Sequence, residues 1–486
     1  GLHDYARNVC INAISLLEIY QEDTTFLKRF LQEIREDCAK LLIQDLKTRI
    51  SFIEQVGLDY ISLKQTQDTL SEGERYRLHL AKKISSNLTD IVYLLESPLE
   101  GLHPHDFPLL LALLNTLVSN HNTVIATDRG NLLAPYAHHS LYLGPNSGPE
   151  GGFLCSPEET PLPEISIPPV DPSLPKLAVN LSIHHIQNLE VSAPLRSVVA
   201  LAGVSGSGKT SLLLEGFYKE ALRQKSSSIF SDILILDSHS LPSSQRSDIS
   251  TYFDIAPHLR AFYASLTKAK ALGISETMFS TNTKKGQCAD CLGMGYQLID
   301  RAFYALEKRQ CPTCSGYRIQ PLAQEVTYEG KHFGQLLHTP ISAIATMFPF
   351  IRKIQPALQA LQQLNLGYLP LGEKLSSLSQ SENMSLKIAK NLYLPLKKPT
   401  LILMDEISSS LDSLRKRKLL IKFHELAASG HSIFFIEHDI EMLKYANYLI
   451  ELGPKAGKEG GKLLFCGPPK ELPSSTTSIL KNYLRF

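Results

Sequence analysis

The chain has 486 residues, with 49 Lys and Arg against 48 Asp and Glu, a formal net charge of +1. That length calls for two or more domains with large cores. The near-zero charge excludes a global field that would attract nucleic acid, so any basic surface must be local. The longest apolar run, Phe107 to Val118, has twelve residues and includes Pro108 and Asn115, too short to span a bilayer. No charged-then-apolar leader opens the chain. The expectation is a soluble, cytoplasmic protein with no membrane partner. The chain begins at Gly1 within helical sequence, and is expected to be a portion of something longer.

Residues 1 to about 55 read as amphipathic helix, with apolar positions recurring through Phe26-Leu-Lys-Arg-Phe-Leu-Gln-Glu-Ile-Arg-Glu36. Leu70-Ser-Glu-Gly-Glu74 comes next, then a strand at Ile91–Leu95, a helix from about Asp106 and a strand at Thr123–Thr127. Seven prolines between 156 and 175 mark a stiff, extended linker. It separates two copies of one pattern. Gln55-Val-Gly-Leu-Asp-Tyr60 recurs as Gln363-Leu-Asn-Leu-Gly-Tyr368, and Leu70-Ser-Glu-Gly-Glu74 as Leu378-Ser-Gln-Ser-Glu382, both at an offset of 308. The strand end at Glu96 recurs at Asp405, and Leu143-Gly-Pro at Leu452-Gly-Pro, both at 309. A constant offset over four separated segments identifies an internal repeat. The division is 1–155 for the C-terminal part of a first unit, 156–176 for the linker and 177–486 for a complete second unit.

Beyond the linker, the apolar run Val198-Val-Ala-Leu-Ala202 leads into Gly203-Val-Ser-Gly-Ser-Gly-Lys-Thr210, and a helical pattern follows from Ser211. Strand, glycine-rich turn and helix in this order are what a phosphate-binding loop requires. The backbone of Gly203, Ser205, Gly206, Ser207 and Gly208 would close around phosphate oxygens, with Ser211 in the first helical turn behind them. The helix N-terminus would add its positive dipole end. Lys209 would reach the β- and γ-phosphates and Thr210 would ligate Mg²⁺. Leu401-Ile-Leu-Met-Asp-Glu406 is an apolar strand ending in two acids. Asp405 would hold Mg²⁺ through water, and Glu406 would orient or polarise the attacking water. His438 ends a further apolar strand after Ser409-Ser-Leu-Asp412; it would sense the γ-phosphate or be a surface histidine. Arg415-Lys-Arg-Lys418 reads as a solvated helix face.

Between the phosphate loop and Asp405 lie 196 residues, long for two strands of one sheet. The inserted stretch, about 240–395, carries two C-x-x-C pairs. Cys288, Cys291, Cys311 and Cys314 form C-x₂-C-x₁₉-C-x₂-C, and four thiolates at that spacing suit a closed, structural Zn²⁺ site. From His258 to Arg318 there are nine Lys and Arg against four acids, with Tyr296, Phe303 and Tyr304 interleaved. Lys268, Lys270, Lys284, Lys285, Arg301, Lys308 and Arg309 are therefore candidates for phosphate-backbone contact.

Taken together, the phosphate loop, L-S-x-G-E signature, strand Asp-Glu, S-x-L-D loop and terminal His resemble the ATP-binding cassette (ABC) ATPases. Phe279-Ser-Thr-Asn-Thr-Lys-Lys-Gly-Gln-Cys-Ala-Asp-Cys-Leu-Gly-Met-Gly295, Gly101-Leu-His103 and both Leu-Gly-Pro…Gly-Gly segments are similar to the excinuclease UvrA family, over about residues 50–470. The resemblance implies an α/β fold of two ABC-type units, with helical signature subdomains and a zinc insertion. It also implies an ATPase that finds damaged double-stranded DNA in nucleotide excision repair, as a homodimer working with a helicase subunit. The insertions that bind that subunit have no room here, which leaves the helicase partner in doubt for this portion.

In ABC dimers the signature of one unit closes the ATP site of the other. One composite site would then join Lys209, Asp405, Glu406, His438 and Asp412 to Ser71 and Gly73. The other would face Glu96, Ser97 and Arg129, which stand where the family has Asp, Glu and His, against the altered Gln380 and Ser381. All the losses fall in one site. The expectation is one hydrolysis-competent and one degenerate site. Glu72 and Ser238, in place of a signature glycine and a Mg²⁺-sensing glutamine, point to slow turnover. The alternative is a non-catalytic ATP-binding module that contacts DNA or protein.

Overall fold

The computed structural model describes residues 9–484, apart from positions 36, 67–69, 71, 85–87, 100, 130–131, 145–147, 149–150, 157–162, 170, 184–185, 225–229, 240, 242–246 and 301–305. Ser71, Arg301, Phe303 and Tyr304, and part of the proline-rich linker, lie outside the described residues.

Chain contacts divide the protein into two compact units that cut across the sequence copies. One comprises Gly1–Ser140, Leu162–Ser238 and Lys398–Phe486; the other comprises Leu141–Pro161 and His239–Lys397. The first unit is built on a six-stranded sheet. Its spatial order is Asp232–Leu236, Thr400–Asp405, Ser432–Ile436, Val198–Gly203, Tyr448–Gly453 and Lys462–Gly467. All neighbours run parallel except the last pair. A parallel strand covered on both faces must be apolar along its whole length rather than alternating. Val198–Gly203 and Ser432–Ile436 are accordingly buried at every position. The register sets Asp405 beside Ile436 and Ile436 beside Leu201. The segments that leave these three strands at their carboxyl ends therefore emerge side by side, where open α/β sheets place their ligands.

The helix behind the phosphate loop is not uniformly α. Lys209–Ser211 and Lys219–Gln224 are α-helical, and Leu212–Tyr218 between them is a π stretch. Gly216 lies there against the hairpin Lys176–Ile183/Ile186–Pro194; an added Cβ would fall 3.0 Å from Val179 Cγ1. Close packing thus fixes the widened turn, a feature that gathers at functional sites.

Among the described residues, the first copy contributes helices, the parallel strands Val92–Leu95 and Thr123–Ala126, and the short antiparallel pairs Cys10–Ile11/Ile14–Ser15 and Tyr142–Gly144/Phe153–Cys155; the helices pack with the two parallel strands. Val56, Leu58, Leu80, Leu99, Leu102, Leu110, Leu113 and Leu117 form their common core. The stretch to about residue 55, expected as amphipathic helix, holds three helices among its described residues, Leu16–Gln21, Thr24–Glu33 and Lys40–Gln55. Capping chemistry sets the first two starts. Ser15 and Glu18 form a capping box, and the Asp23 side chain accepts the Phe26 N–H at 2.8 Å. Both residues offer the backbone a start signal inside an otherwise helical pattern.

Arg415-Lys-Arg-Lys418 is not the solvated face expected. Asp412 caps the helix Ser413–Ala428, accepting the Arg415 N–H at 2.9 Å. Arg415 and Lys416 are buried, paired with Asp412 at 3.0 Å and Asp439 at 2.7 Å, and Arg417 pairs with Glu441 at 2.5 Å. Asp412, three residues ahead of Arg415, and the sequence-remote Asp439 and Glu441 draw these cations in.

The second unit contains helices at Ile255–Ser265, Gln355–Gln363 and Gln380–Ile388, the last of which begins in the altered signature with Ser379 as its N-cap. The antiparallel hairpin Tyr296–Ile299/Glu307–Gln310 stands between the two cysteine pairs in sequence. Arg318, one of the basic residues of the 258–318 stretch, is buried and bound to Asp248 at 3.1 Å. It holds the unit together rather than facing outward.

Candidate nucleotide site, cysteine cluster and basic face

Three loop glycines adopt the left-handed region: Gly203 at φ 140°, Gly206 at 73° and Gly208 at 98°. At Gly203 a Cβ would sit 2.0 Å from the Leu452 carbonyl oxygen, so no side chain fits. At Gly206 it would meet the Tyr60 ring at 2.8 Å. Lys209 is buried, and its Nζ donates to the carbonyls of Gly203 at 3.0 Å and Val204 at 3.1 Å. Burial lowers its pKa; Glu406, then Asp405 and Glu74, oppose that shift. Among the described residues, the buried Ser207 hydroxyl has no hydrogen-bond partner. A ring of backbone with a buried ammonium at its centre and an unmet hydroxyl fits a polyphosphate.

Thr210 Oγ1 lies 3.2 Å from Asp405 Oδ2. A hydroxyl beside a carboxylate, both oxygen donors, suits Mg²⁺. Burial, reinforced by the adjacent Glu406 charge, pushes Asp405 up to about 6. Glu406 is held at φ 50°, and burial raises its pKa as well. His438 is buried rather than at the surface, with Nε2 3.3 Å from Glu406 Oε1. Burial, then Lys209, holds it well below the usual imidazole range. A neutral His438 therefore faces the carboxylate.

First-copy residues stand against this cluster. Tyr60 packs on Gly206, and its hydroxyl donates to Glu74 of the helix Glu72–Ile84. Glu74 is buried and acts electrostatically on both Lys209 and Glu406. Gly73 lies on the same helix. The second copy repeats the arrangement: the Tyr368 hydroxyl donates to Glu382 at 2.5 Å. His103, from Gly101-Leu-His103, packs edge to face on His438 with ring centroids 6.0 Å apart. The sequence alone assigns no role to Tyr60 or His103, although the repeat marks the segment of one and the family resemblance that of the other.

Glu96 and Arg129 form an ion pair at 2.8 Å. Arg129 also donates to the Ser410 carbonyl at 3.3 Å, in the loop between Glu406 and Asp412. A cavity of about 470 Å³ adjoins Glu406 and His438 and is also lined by Ser97, Gly101, Arg129 and Tyr483.

The four cysteines of the second unit converge. Their sulfurs lie within 4.8 Å of one another, with Cys288–Cys311 at 3.9 Å and Cys291–Cys314 at 3.6 Å. Tetrahedral Zn–S bonds of about 2.3 Å require S···S separations of about 3.8 Å, so the cluster fits zinc. All four thiols are buried and unoxidised. On the same unit Lys268, Lys270, Lys284, Lys285, Lys308 and Arg309 are exposed. The ammonium groups of Lys308 and Lys374 lie 5.1 and 4.8 Å from the Tyr296 ring centroid.

No protein-family model matches the chain. It is 61% identical to UvrABC system protein A of Chlamydia pneumoniae, a match covering all of this chain and 28% of that protein. It is 30% identical to UvrABC system protein A of Rickettsia typhi, over 92% of this chain and 51% of that relative. The crystal structure of UvrA2 from Deinococcus radiodurans superposes with a TM-score of 0.88 at 26% identity, over 99% of this chain and 64% of that one. The chain thus spans between about a quarter and two thirds of the proteins it matches. The cassette-type α/β sheet, the phosphate loop with its strand-end acids and the four-cysteine insertion agree with these matches, and the chain belongs to the UvrA family.

Proposed function

We propose that the chain is an ATPase with one competent composite site, through which nucleotide binding is coupled to contact with damaged double-stranded DNA in excision repair. The observation that carries the reading is the meeting of Lys209, Thr210, Asp405, Glu406 and His438 with first-copy Tyr60 and Glu74 beside the same loop. The copies divide at the 156–176 linker. Ser71 and Gly73 would complete the site, and Asp412 would hold the loop after Glu406 through its helix cap.

Lys209 and the loop backbone would bind the β- and γ-phosphates, and Thr210 with Asp405 would hold Mg²⁺, which neutralises charge on the phosphates. Glu406 would take the proton of the attacking water, with His438 Nε2–H steadying its carboxylate. Glu406 must be ionised to act, and its raised pKa sets the sign: turnover climbs as pH rises through that pKa. The Glu96–Arg129 pair supports a first copy without a catalytic base, since Arg129 neutralises the acid at the Mg²⁺-ligand position. Homodimer formation and a helicase-subunit partner are carried over from the family resemblance. The cysteine cluster would hold structural zinc, and the exposed lysines would meet the DNA backbone. Steady-state ATP turnover with Glu406→Gln tests the reading. The substitution is expected to abolish turnover while ATP binding persists; equal inactivity of both chains, with ATP still bound, contradicts it.

A further inference from the structure

All four cysteines of the cluster are buried. Four thiolates around one Zn²⁺ carry a net charge of about −2. Such a charge is costly to enclose unless a cation compensates it. Backbone N–H groups help, that of Gly295 donating to Cys291 Sγ at 3.2 Å, but they are neutral dipoles and leave the net charge in place. Two cations stand nearby on the inner side of the hairpin. Arg318 is committed: Nη1 binds Asp248 Oδ2 at 3.1 Å and Nε donates to the Gly293 carbonyl at 3.0 Å. Lys374 is not. Among the described residues, its Nζ is buried with no hydrogen-bond partner. A β-bridge to Asp248 fixes its backbone, and its ammonium lies 4.8 Å from the Tyr296 ring centroid. Tyr296 joins the two cysteine loops: it follows Gly295, whose carbonyl accepts the Cys311 N–H at 3.0 Å. Asp248 offers Lys374 no free oxygen, because Oδ1 accepts the Ser250 hydroxyl at 2.7 Å and the Thr251 N–H at 3.0 Å. Burial, then Arg318 and Lys308, disfavours the Lys374 charge, while Asp248 and Cys291 favour it. A buried ammonium beside two other cations calls for an anion.

We propose that Lys374 is the charge-compensating residue of the cysteine site: its ammonium offsets the excess negative charge of the metal-bound thiolates from the Cys291 side. The thiolate set supplies the anion that Lys374 lacks, and Lys374 supplies the cation that the set lacks. The face of the Tyr296 ring steadies the ammonium between them. Lys374 comes four residues before Leu378, the start of the altered signature. The pairing therefore also fastens the cysteine cluster to the segment that leads into the helix Gln380–Ile388. The effect on metal affinity rests on the structural-zinc reading of the cluster, and it names a residue outside the four ligands that sets that affinity.

Lys374→Met removes the charge at similar length, and Lys374→Arg keeps it. Lys374→Gln, neutral but polar, takes the place of Lys374→Met if methionine disturbs folding. Zinc affinity of the full chain is measured by competition with a chromophoric chelator. Lys374→Met is expected to weaken zinc binding roughly tenfold or more, and Lys374→Arg to recover most of the loss. Cobalt(II) in place of zinc reads the sulfur electrons directly. Removing a nearby cation makes those electrons easier to promote. The sulfur-to-cobalt charge-transfer band is therefore expected at longer wavelength in Lys374→Met and near its original place in Lys374→Arg; a side chain that only fills space would not move it. Unchanged zinc affinity or an unshifted band in Lys374→Met overturns the proposal, as does a loss that Lys374→Arg fails to recover. Weaker duplex DNA binding by Lys374→Met at unchanged zinc affinity overturns it too, and assigns the ammonium to a nucleic-acid phosphate. An unsubstituted chain that takes up no zinc defeats the structural-zinc reading as well, whereas normal uptake that is indifferent to Lys374 defeats this proposal alone.

Discussion

Glu406 and Glu437 are neighbouring carboxylates with opposite tasks. Glu406, facing His438 and Lys209, is proposed as the base; Glu437 is buried and accepts the Ser408 N–H at 2.8 Å, fixing the loop beyond Glu406. Burial pushes Glu437 up to about 8. A carboxyl whose folded-state pKa is raised adds stability below its unfolded value, and that stability is lost as pH rises through the folded one. The loss therefore falls between about pH 4.5 and 8, at up to about 1.4 kcal/mol per pH unit. Glu437→Gln imitates the protonated form and is expected to flatten stability against pH over that window, as read by denaturant unfolding at several pH values. An unchanged slope would show that Glu437 is ionised in the fold. Glu406 was legible in sequence as the end of an apolar strand. Glu437 was not: one position before a histidine, it has no motif, and only the fold shows it enclosed.

At the scale of elements, the repeat carried the strongest information. The matched Tyr60–Glu74 and Tyr368–Glu382 bonds appear at the recurring segments, one in each compact unit. Boundaries were less legible. Ser15 and Asp23 broke the first helix because a cap is a local competition that hydrophobic periodicity does not register. Arg415 and Lys416 turned inward because their partners Asp412 and Asp439 are placed by the loops after two different strands. The cysteine insertion was readable from spacing alone, since ligand geometry constrains sequence directly. Cys311, fully buried, is expected to be indispensable there. Metal analysis should find stoichiometric zinc, lost in Cys311→Ser together with thermal stability. A zinc-free, equally stable chain would contradict a structural metal.

For the whole molecule, net charge +1 leaves the proposed DNA contact to a local surface, for which the six exposed basic residues of the second unit are the candidates. Lys284→Ala with Lys285→Ala is expected to weaken duplex binding and reduce the slope of log affinity against log salt by about two. Unaltered slope and affinity would place the DNA elsewhere. The larger claim is that the first copy's signature serves the second copy's phosphate loop, while the second copy's altered signature serves none. It is tested most directly by introducing the same bulky cation into each signature and measuring steady-state ATP turnover. Ser71→Arg is expected to abolish turnover and Ser381→Arg to leave it near the unsubstituted rate; loss in Ser381→Arg with activity retained in Ser71→Arg would contradict the composite site.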